Sequence, residues 1–212
     1  MKLLVRDKFP EMKVKTTKGD INLPNDYKGK WFVFFSHPAD FTPVCTTEFV
    51  AFQKRMEMFK KINTELIGLS VDTVEEHFAW IKWIKGNIGV DIEFPIIDDS
   101  DKKISKELGM IREDEEDSTT ARSVVIVDFK ATVRTILEYP KELGRNMDEI
   151  LRIVKGLQVA SGKHLFPPAN WPNNEIMGDK VLLPAGTKFT EEEAKEQGIC
   201  KLSDWFMYKN LD

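Results

Sequence analysis

Cysteine and histidine are scarce in this chain of 212 residues, which has two cysteines, Cys45 and Cys200, and three histidines. Two cysteines so far apart, with no C-x-x-C pair, cannot form a disulfide framework. The histidines are scattered along the chain and lack the spacing of zinc ligands. We therefore expect neither a cross-linked scaffold nor a bound metal.

Long apolar runs and an excess of positive charge are also absent. The longest apolar run, Trp31–Phe35, is far too short to cross a bilayer, and the N-terminus MKLLVRDKFP is charged where a secretory signal would be apolar. A net charge of -4 argues against a nucleic-acid partner, which usually requires a basic face. These absences predict a cytoplasmic protein that binds neither nucleic acid nor membranes.

Strand and helix patterns alternate through the N-terminal three quarters of the chain, and a hydrophobic fraction of 42% suffices for a core. Helical spacing follows Cys45 and recurs over 74–84 and over 146–159. In the helix over 74–84, Phe78 and Ile81 are expected to face inward, with Trp80 as a further candidate. The predicted strands are 31–35, 66–71, 94–97, 123–127 and 131–137. This order predicts an α/β fold, in outline a thioredoxin-like three-layer sandwich with a mixed β-sheet, although periodicity alone allows other α/β folds.

The pattern of residues along the sequence changes near residue 161. Residues 166–172 carry three prolines and cannot be regular structure, while Thr190 and Glu193 have the spacing of a helix capping box. We predict a thioredoxin-like domain at 1–160 and a C-terminal extension at 161–212 that docks on this or a neighbouring subunit. The acidic cluster 113–117 is expected to be a solvated loop.

The segment from Ser36 to Glu48 leaves a buried strand and enters a helix, and its two prolines stiffen the loop. Cys45 falls in the first helical turn, where free N–H groups and the helix dipole favour a thiolate. The Thr42 hydroxyl can reach a group bound beside the sulfur, and Pro38 can shield that pocket from water. These residues suit nucleophilic attack on a small electrophile.

The pattern Pro38-x-x-x-Thr42-x-x-Cys45 resembles the peroxidatic signature of peroxiredoxins. The longer string SHPADFTPVCTTE is similar to the one-cysteine, peroxiredoxin-6-like group, and the C-terminus resembles long-tailed archaeal-type members. Two arginine motifs, around Arg122 and Arg145, look like those of the same group.

The resemblance implies a thiol-dependent peroxidase that reduces hydrogen peroxide and organic hydroperoxides without a cofactor. Cys45 would be oxidised to a sulfenic acid and recycled by a thiol reductant. Arg122 would supply positive charge to the thiolate and the peroxide oxygens. Thr42 would align the peroxide, and Pro38 would keep solvent from the sulfenate. Glu48 and Arg145 would orient Arg122.

Other residues of interest have two interpretations each. His37, at the end of the strand, either gates or hydrogen-bonds the substrate or only packs, while His77 and His164 are expected to be structural. Cys200 is either the thiol that resolves the Cys45 sulfenate or a bystander, in which case an external thiol recycles Cys45.

The resemblance also implies partners: a small thiol or a thioredoxin- or glutaredoxin-like reductant, and a homodimer that assembles into a decamer or dodecamer. Two competing hypotheses remain at this point. One is a non-catalytic binding or holdase module. The other is a cysteine hydrolase using Cys45 and His37, a pair without an obvious orienting carboxylate.

Overall fold

The computed structural model describes residues 2–111 and 119–211, so the acidic cluster at 113–117 lies outside the described residues. The chain divides into two compact units, Met1–Met147 and Asp148–Asp212. Each unit is described by itself below, and the sequence-based boundary at residue 160 stays a prediction.

The first unit is built on a seven-stranded mixed sheet with the strand order β2-β1-β5-β4-β3-β6-β7. β3, β4 and β5 pair in parallel, and the other neighbours are antiparallel. The strands are β1 (Met12–Thr16), β2 (Gly19–Leu23), β3 (Trp31–Ser36), β4 (Thr64–Ser70), β5 (Ile96–Asp98), β6 (Arg122–Val127) and β7 (Val133–Tyr139). The predicted mixed α/β architecture is confirmed; the β1–β2 hairpin was not predicted.

Helices connect the parallel strands. The helical segments of this unit are a short 3-10 turn (Asn25–Tyr27), α1 (Pro43–Lys61), α2 (Val74–Ile88) and α3 (Lys103–Glu107), and α4 (Met147–Lys163) begins where the unit ends. α1 follows β3 and α2 follows β4, so both helices start at the carboxyl ends of adjacent parallel strands. That edge of the sheet is where open α/β folds place their ligands.

The sequence of α1 explains both where it begins and which face it buries. Thr42 is the N-cap, and Pro43, with its fixed φ and missing N–H, occupies the first helical position. Phe49 and Phe52 point to the core with no exposed surface. The Phe52 ring stacks on Phe35 of β3 at a centroid distance of 4.2 Å. Aromatic packing thus fixes α1 against the middle of the sheet.

The buried face of α2 differs from the prediction. Phe78, expected to face inward, is 52% exposed, and Trp80 and Ile84 are fully buried. His77 is also fully buried, because its ring nitrogens have polar partners inside the protein. The prediction was therefore wrong for Phe78, whose expected place on the inward face is taken by His77, and right for Trp80; Ile81 is partly buried.

The second unit has its own small core. Its elements besides α4 are β8 (Val181–Leu182), α5 (Glu191–Glu196), β9 (Cys200–Ser203) and β10 (Phe206–Lys209), with the strands in the order β8-β10-β9. Trp171, Val181 and Met207 are buried together. The predicted capping box of α5, formed by Thr190 and Glu193, is confirmed. Among the described residues, no helix combines the length and apolar character needed to traverse a bilayer.

The packing of β4 against α1 yields a stability prediction. A Cβ at Gly68 would lie 3.3 Å from Phe49 Cζ and 3.4 Å from Phe35 Cζ, and both rings are fully buried. Gly68→Ala should therefore lower the free energy of unfolding by about 1–3 kcal/mol, because neither ring has room to move. The free energy of unfolding is measured by a urea titration that is monitored by circular dichroism.

Gly86→Ala is the matched control for this substitution. Gly86 lies in α2 and a Cβ there meets nothing within 4 Å, so alanine should raise stability by up to about 1 kcal/mol through its helix propensity. A Gly68→Ala protein as stable as the wild type would contradict the packing described here.

Candidate active site

Cys45 lies in the first turn of α1, as the sequence predicts. It is the third helical residue after the Thr42 N-cap, and its side chain has no exposed surface. The first N–H groups of a helix have no carbonyl one turn earlier to bind, so this turn carries partial positive charge. A negative charge on the sulfur is therefore favoured by its place on the helix.

Arg122, the first residue of β6, contacts the sulfur directly. Its Nη1 donates a hydrogen bond to Cys45 Sγ at 3.2 Å and another to Glu48 Oε2 at 2.8 Å. Its Nε and Nη2 both donate to the Lys141 carbonyl, at 2.9 and 2.7 Å. The guanidinium is thus held from two sides, and its direction toward the sulfur is set by the backbone after β7.

Glu48 lies one turn after Cys45 on α1 and is only 2% exposed. Its carboxylate accepts from Arg122 and from three N–H groups of Arg145: the backbone N and Nε on Oε1, and Nη2 on Oε2, at 2.7–2.8 Å. Burial alone would raise the pKa of Glu48, but the hydrogen bonds and charge of Arg145 outweigh it and hold the pKa below the ordinary 4.5.

Arg145 stands behind Glu48 and does not reach the sulfur through any hydrogen bond among the described residues. Its Nη1 donates to the carbonyls of Ser36 and Ser123, at 2.9 and 3.0 Å, which joins the end of β3 to the start of β6. Its guanidinium also packs over the rings of Phe35 and Phe52, at 5.4 and 5.8 Å.

The charged side chains around Cys45 in this buried cluster carry an excess of one positive charge. Arg122 and Arg145 contribute two positive charges and Glu48 one negative charge, and all three side chains are at most 3% exposed. An uncompensated charge is costly in such a place. A thiolate at Cys45 supplies the missing negative charge, so the cluster favours the nucleophilic form of the sulfur.

Thr42 and Pro38 lie in the loop that leads into α1, as predicted. Pro38 is buried and Thr42 is half-buried. The Thr42 hydroxyl donates to the Ala39 carbonyl at 3.0 Å, which leaves its lone pairs as acceptors for another O–H group. A peroxide bound at the sulfur can therefore donate to Thr42.

His37 belongs to a second buried cluster. Its Nε2 lies 2.8 Å from Asp40 Oδ1, and Asp40 Oδ2 lies 2.6 Å from His77 Nδ1. The sequence suggested no carboxylate that could orient His37. That expectation was wrong, because Asp40 lies in this position. Asp40 and Asp72 could offer oxygens to a cation together with His37, but both Asp40 oxygens already face imidazole nitrogens.

Cys200 lies on β9 in the second unit and is exposed. Cys45 and Cys200 are both free thiols, one buried and one at the surface. The sequence did not reveal three further contributors to the site besides Asp40: the carbonyls of Lys141, Ser36 and Ser123, which hold the arginines through backbone atoms and leave no signal in residue type.

Comparisons with known proteins agree with this geometry. The AhpC/TSA family model matches residues 5–136. A peroxiredoxin from Methanocaldococcus jannaschii is 53% identical over 99% of both chains. The structure of a yeast mitochondrial 1-Cys peroxiredoxin, whose thiol is resolved via glutathione/thioredoxin systems, superposes with a TM-score of 0.85 at 36% identity, covering 98% of this chain and 99% of that one.

A cysteine mutant of Arenicola marina peroxiredoxin 6 also superposes with a TM-score of 0.85, at 31% identity and over 99% of both chains. The chain therefore belongs to the AhpC/TSA family of thiol-dependent peroxidases. Within that family it is a peroxiredoxin, which confirms the resemblance and the thioredoxin-like fold expected from the sequence.

The buried position of Glu48 predicts how stability depends on pH. Because its folded pKa lies below 4.5, Glu48 stabilises the fold above about pH 4.5, and this contribution is lost as pH falls through the folded pKa. Glu48→Gln should lower the free energy of unfolding by about 3–5 kcal/mol at pH 7, since two buried cations lose their partner. As the pH is lowered, the free energy of unfolding of this variant should fall less steeply than that of the wild type. Urea unfolding at several pH values measures both effects.

Glu57→Gln on the same helix is the control, because Glu57 is an exposed residue paired only with Lys60 in the contacts described. Its unfolding profile should follow the wild type at every pH. A Glu48→Gln protein with wild-type stability at neutral pH would show that the cluster does not depend on this carboxylate.

Proposed function

We propose that Cys45 is the peroxidatic residue of this enzyme and that Arg122 is the group that activates it. The observation that carries the proposal is the 3.2 Å contact between Arg122 Nη1 and Cys45 Sγ inside a buried cluster. A fixed guanidinium stabilises a thiolate and also stabilises negative charge that develops on oxygens beside it.

The reaction at Cys45 transfers one oxygen. The thiolate attacks the nearer oxygen of hydrogen peroxide or an organic hydroperoxide, an S–O bond forms and the O–O bond breaks. The nearer oxygen keeps its hydrogen, which makes Cys45 a sulfenic acid. The bonding pair leaves on the far oxygen as hydroxide or alkoxide, which takes a proton from solvent. Sulfur is oxidised, the peroxide is reduced, and no cofactor takes part.

Each neighbouring group has a separate part in this step. Thr42 accepts a hydrogen bond from the peroxide and orients it in line with the sulfur. Arg122 stabilises the charge that moves onto the departing oxygen, while Glu48 and Arg145 keep Arg122 in place. Pro38, which is buried in the loop, limits access of water to the sulfenate.

For the return to the thiol, we propose recycling by an external thiol. One thiol condenses with the sulfenic acid, giving a mixed disulfide and water, and a second thiol reduces that disulfide. The cytoplasm supplies glutathione- and thioredoxin-type thiols for both steps. Cys200 is the alternative resolving thiol, and it would have to form a disulfide with Cys45, which sits fully buried in a helical turn.

Peroxide consumption with dithiothreitol tests this assignment. Wild type and Cys200→Ser should turn over equally, and Cys45→Ser should not turn over. After one equivalent of peroxide without reductant, mass spectrometry should find Cys45 as a sulfenic acid trapped by dimedone, with Cys200 free. A Cys45–Cys200 disulfide would assign the resolving role to Cys200. An active Cys45→Ser protein would contradict the proposed function.

We also propose that the enzyme assembles as a homodimer and that dimers form a decamer or dodecamer. The support is an apolar surface on the β9–β10 hairpin, where Leu202 is 64% and Trp205 is 69% exposed. Side chains of this size are seldom left in water as neighbours unless another surface covers them. A second copy of the chain is the occupant we propose.

Light scattering coupled to size exclusion tests this assembly. The wild type should elute as an oligomer, and Trp205→Ser should lower the average mass by weakening contacts made by the hairpin. Phe78→Ser, which removes an exposed aromatic from α2, is the control and should leave the mass unchanged. A monomeric wild type would contradict the proposal.

A further inference from the structure

The cluster of His37, Asp40 and His77 is buried and is not used by the mechanism above. Both imidazole side chains have no exposed surface, and the Asp40 side chain is 1% exposed. His37 and Asp40 lie in the loop that joins β3 to α1, and His77 lies on α2. Asp40 bridges the two rings, with one carboxylate oxygen facing each.

The partners of His77 fix its protonation. Its Nδ1 faces Asp40 Oδ2 at 2.6 Å, and its Nε2 faces the Ile97 carbonyl at 3.1 Å. Neither partner has a hydrogen to donate while Asp40 is ionised, so both ring nitrogens of His77 carry one. Burial alone would lower the pKa of His77, but the hydrogen bond and charge of Asp40 outweigh it and raise the pKa above the ordinary 6.5.

The remaining charged groups support the same state. Burial would raise the pKa of Asp40, but the two histidines outweigh it and lower the pKa. Asp72, whose Oδ2 accepts from the Asp40 N–H at 2.9 Å, adds a second carboxylate near the rings. Glu76 on α2 lies further out, where its carboxylate caps the helix at Thr73.

His37 has the opposite protonation. Its Nε2 donates to Asp40, while its Nδ1 is buried and has no hydrogen-bond partner among the described residues. A hydrogen on Nδ1 would be a buried donor with nothing to receive it, so the neutral ring with hydrogen on Nε2 is favoured. Burial also lowers the pKa of His37, against the smaller opposing effect of Asp40.

The same cluster holds the loop that carries Thr42. Asp40 is fixed through its side chain by both rings and through its backbone by Asp72. Phe41, between Asp40 and Thr42, has φ of 55°, a left-handed conformation that costs energy in a non-glycine residue. An anchor at Asp40 is therefore needed to keep this turn, and Thr42 with it, in place.

We propose that His77 and Asp40 are positioning residues of the peroxidatic site: His77 clamps Asp40 through the contact between its Nδ1 and Asp40 Oδ2, and Asp40 fixes the Thr42 loop and the neutral form of His37. A second contact from α2 reaches the same place. Trp80 Nε1 donates to Thr46 Oγ1 at 3.2 Å, and Thr46 Oγ1 donates to the Thr42 carbonyl at 2.8 Å. This inference rests on the proposed role of Thr42 and Cys45.

The first test is nitrogen NMR of the imidazole side chains in the wild type, which needs no enzymatic activity. In a titration over about pH 5.5–8.5, His77 should lose its charge at a higher pH than an ordinary histidine, because its pKa is raised above 6.5, and His37 should keep an unprotonated Nδ1. A His77 that loses its charge at or below the pH typical of an ordinary histidine would overturn the proposal, whatever becomes of the peroxidase assignment.

The second test distinguishes a role of His77 in positioning Thr42 from a general role in stabilising the fold. His77→Gln keeps a hydrogen-bonding amide but loses the charge, and should lower the rate constant for peroxide roughly ten- to a hundredfold, since alignment by Thr42 is impaired. Alkylation of Cys45 by iodoacetamide needs no such alignment and should change less than twofold. A general loosening would instead raise alkylation, because the buried Cys45 would be exposed.

Asp40→Asn, which preserves the shape of the side chain, is the second variant. It should likewise lower the rate constant for peroxide while leaving the rate of Cys45 alkylation by iodoacetamide nearly unchanged. In this variant the amide can donate to His37 Nε2, which should move the ring hydrogen to Nδ1. His164→Gln, at an exposed histidine, is the control and should match the wild type. Folded His77→Gln and Asp40→Asn proteins with wild-type peroxide rates would overturn the proposal; if neither variant folds, the NMR result decides it.

Discussion

The proposed activity of this protein depends on the buried contact between the Arg122 guanidinium and the Cys45 sulfur. Arg122 reaches Cys45 within a cluster that holds a second guanidinium and a single carboxylate, all removed from water. In that environment the charge count matters more than any one hydrogen bond, because an uncompensated buried ion is costly. A negative sulfur completes the balance. The chemistry proposed for Cys45 therefore follows from the electrostatics of this buried cluster.

The fold meets this requirement by bringing three distant segments to one edge of the sheet. α1 carries Cys45 and Glu48 on successive turns, β6 begins with Arg122, and the chain after β7 supplies Arg145. Pairing of β3 with β6 sets the distance between these segments, and backbone carbonyls at Ser36 and Lys141 set the directions of the two arginines. Aromatic packing of α1 on β3 makes the arrangement rigid.

Much of this was predictable from residue patterns. The covered strand β3, the place of Cys45 in the first turn of α1 and the capping box of α5 depend on local signals that the structure retains. Phe78 was wrongly assigned to the inward face of α2, because the sequence does not show that buried partners pair both nitrogens of His77 there. Such partners come from other elements, so a sequence pattern cannot show them. Asp40 was missed for the same reason.

The ultraviolet absorbance of the thiolate tests the central claim most directly. The difference spectrum between the wild type and Cys45→Ser at pH 7 isolates the charge on this one sulfur. The account predicts a thiolate band in that spectrum. When Arg122→Met is introduced into both the wild type and Cys45→Ser, the difference spectrum between the two proteins should show a much weaker band. A wild-type sulfur without the band at neutral pH, or a band equally strong without Arg122, would contradict it.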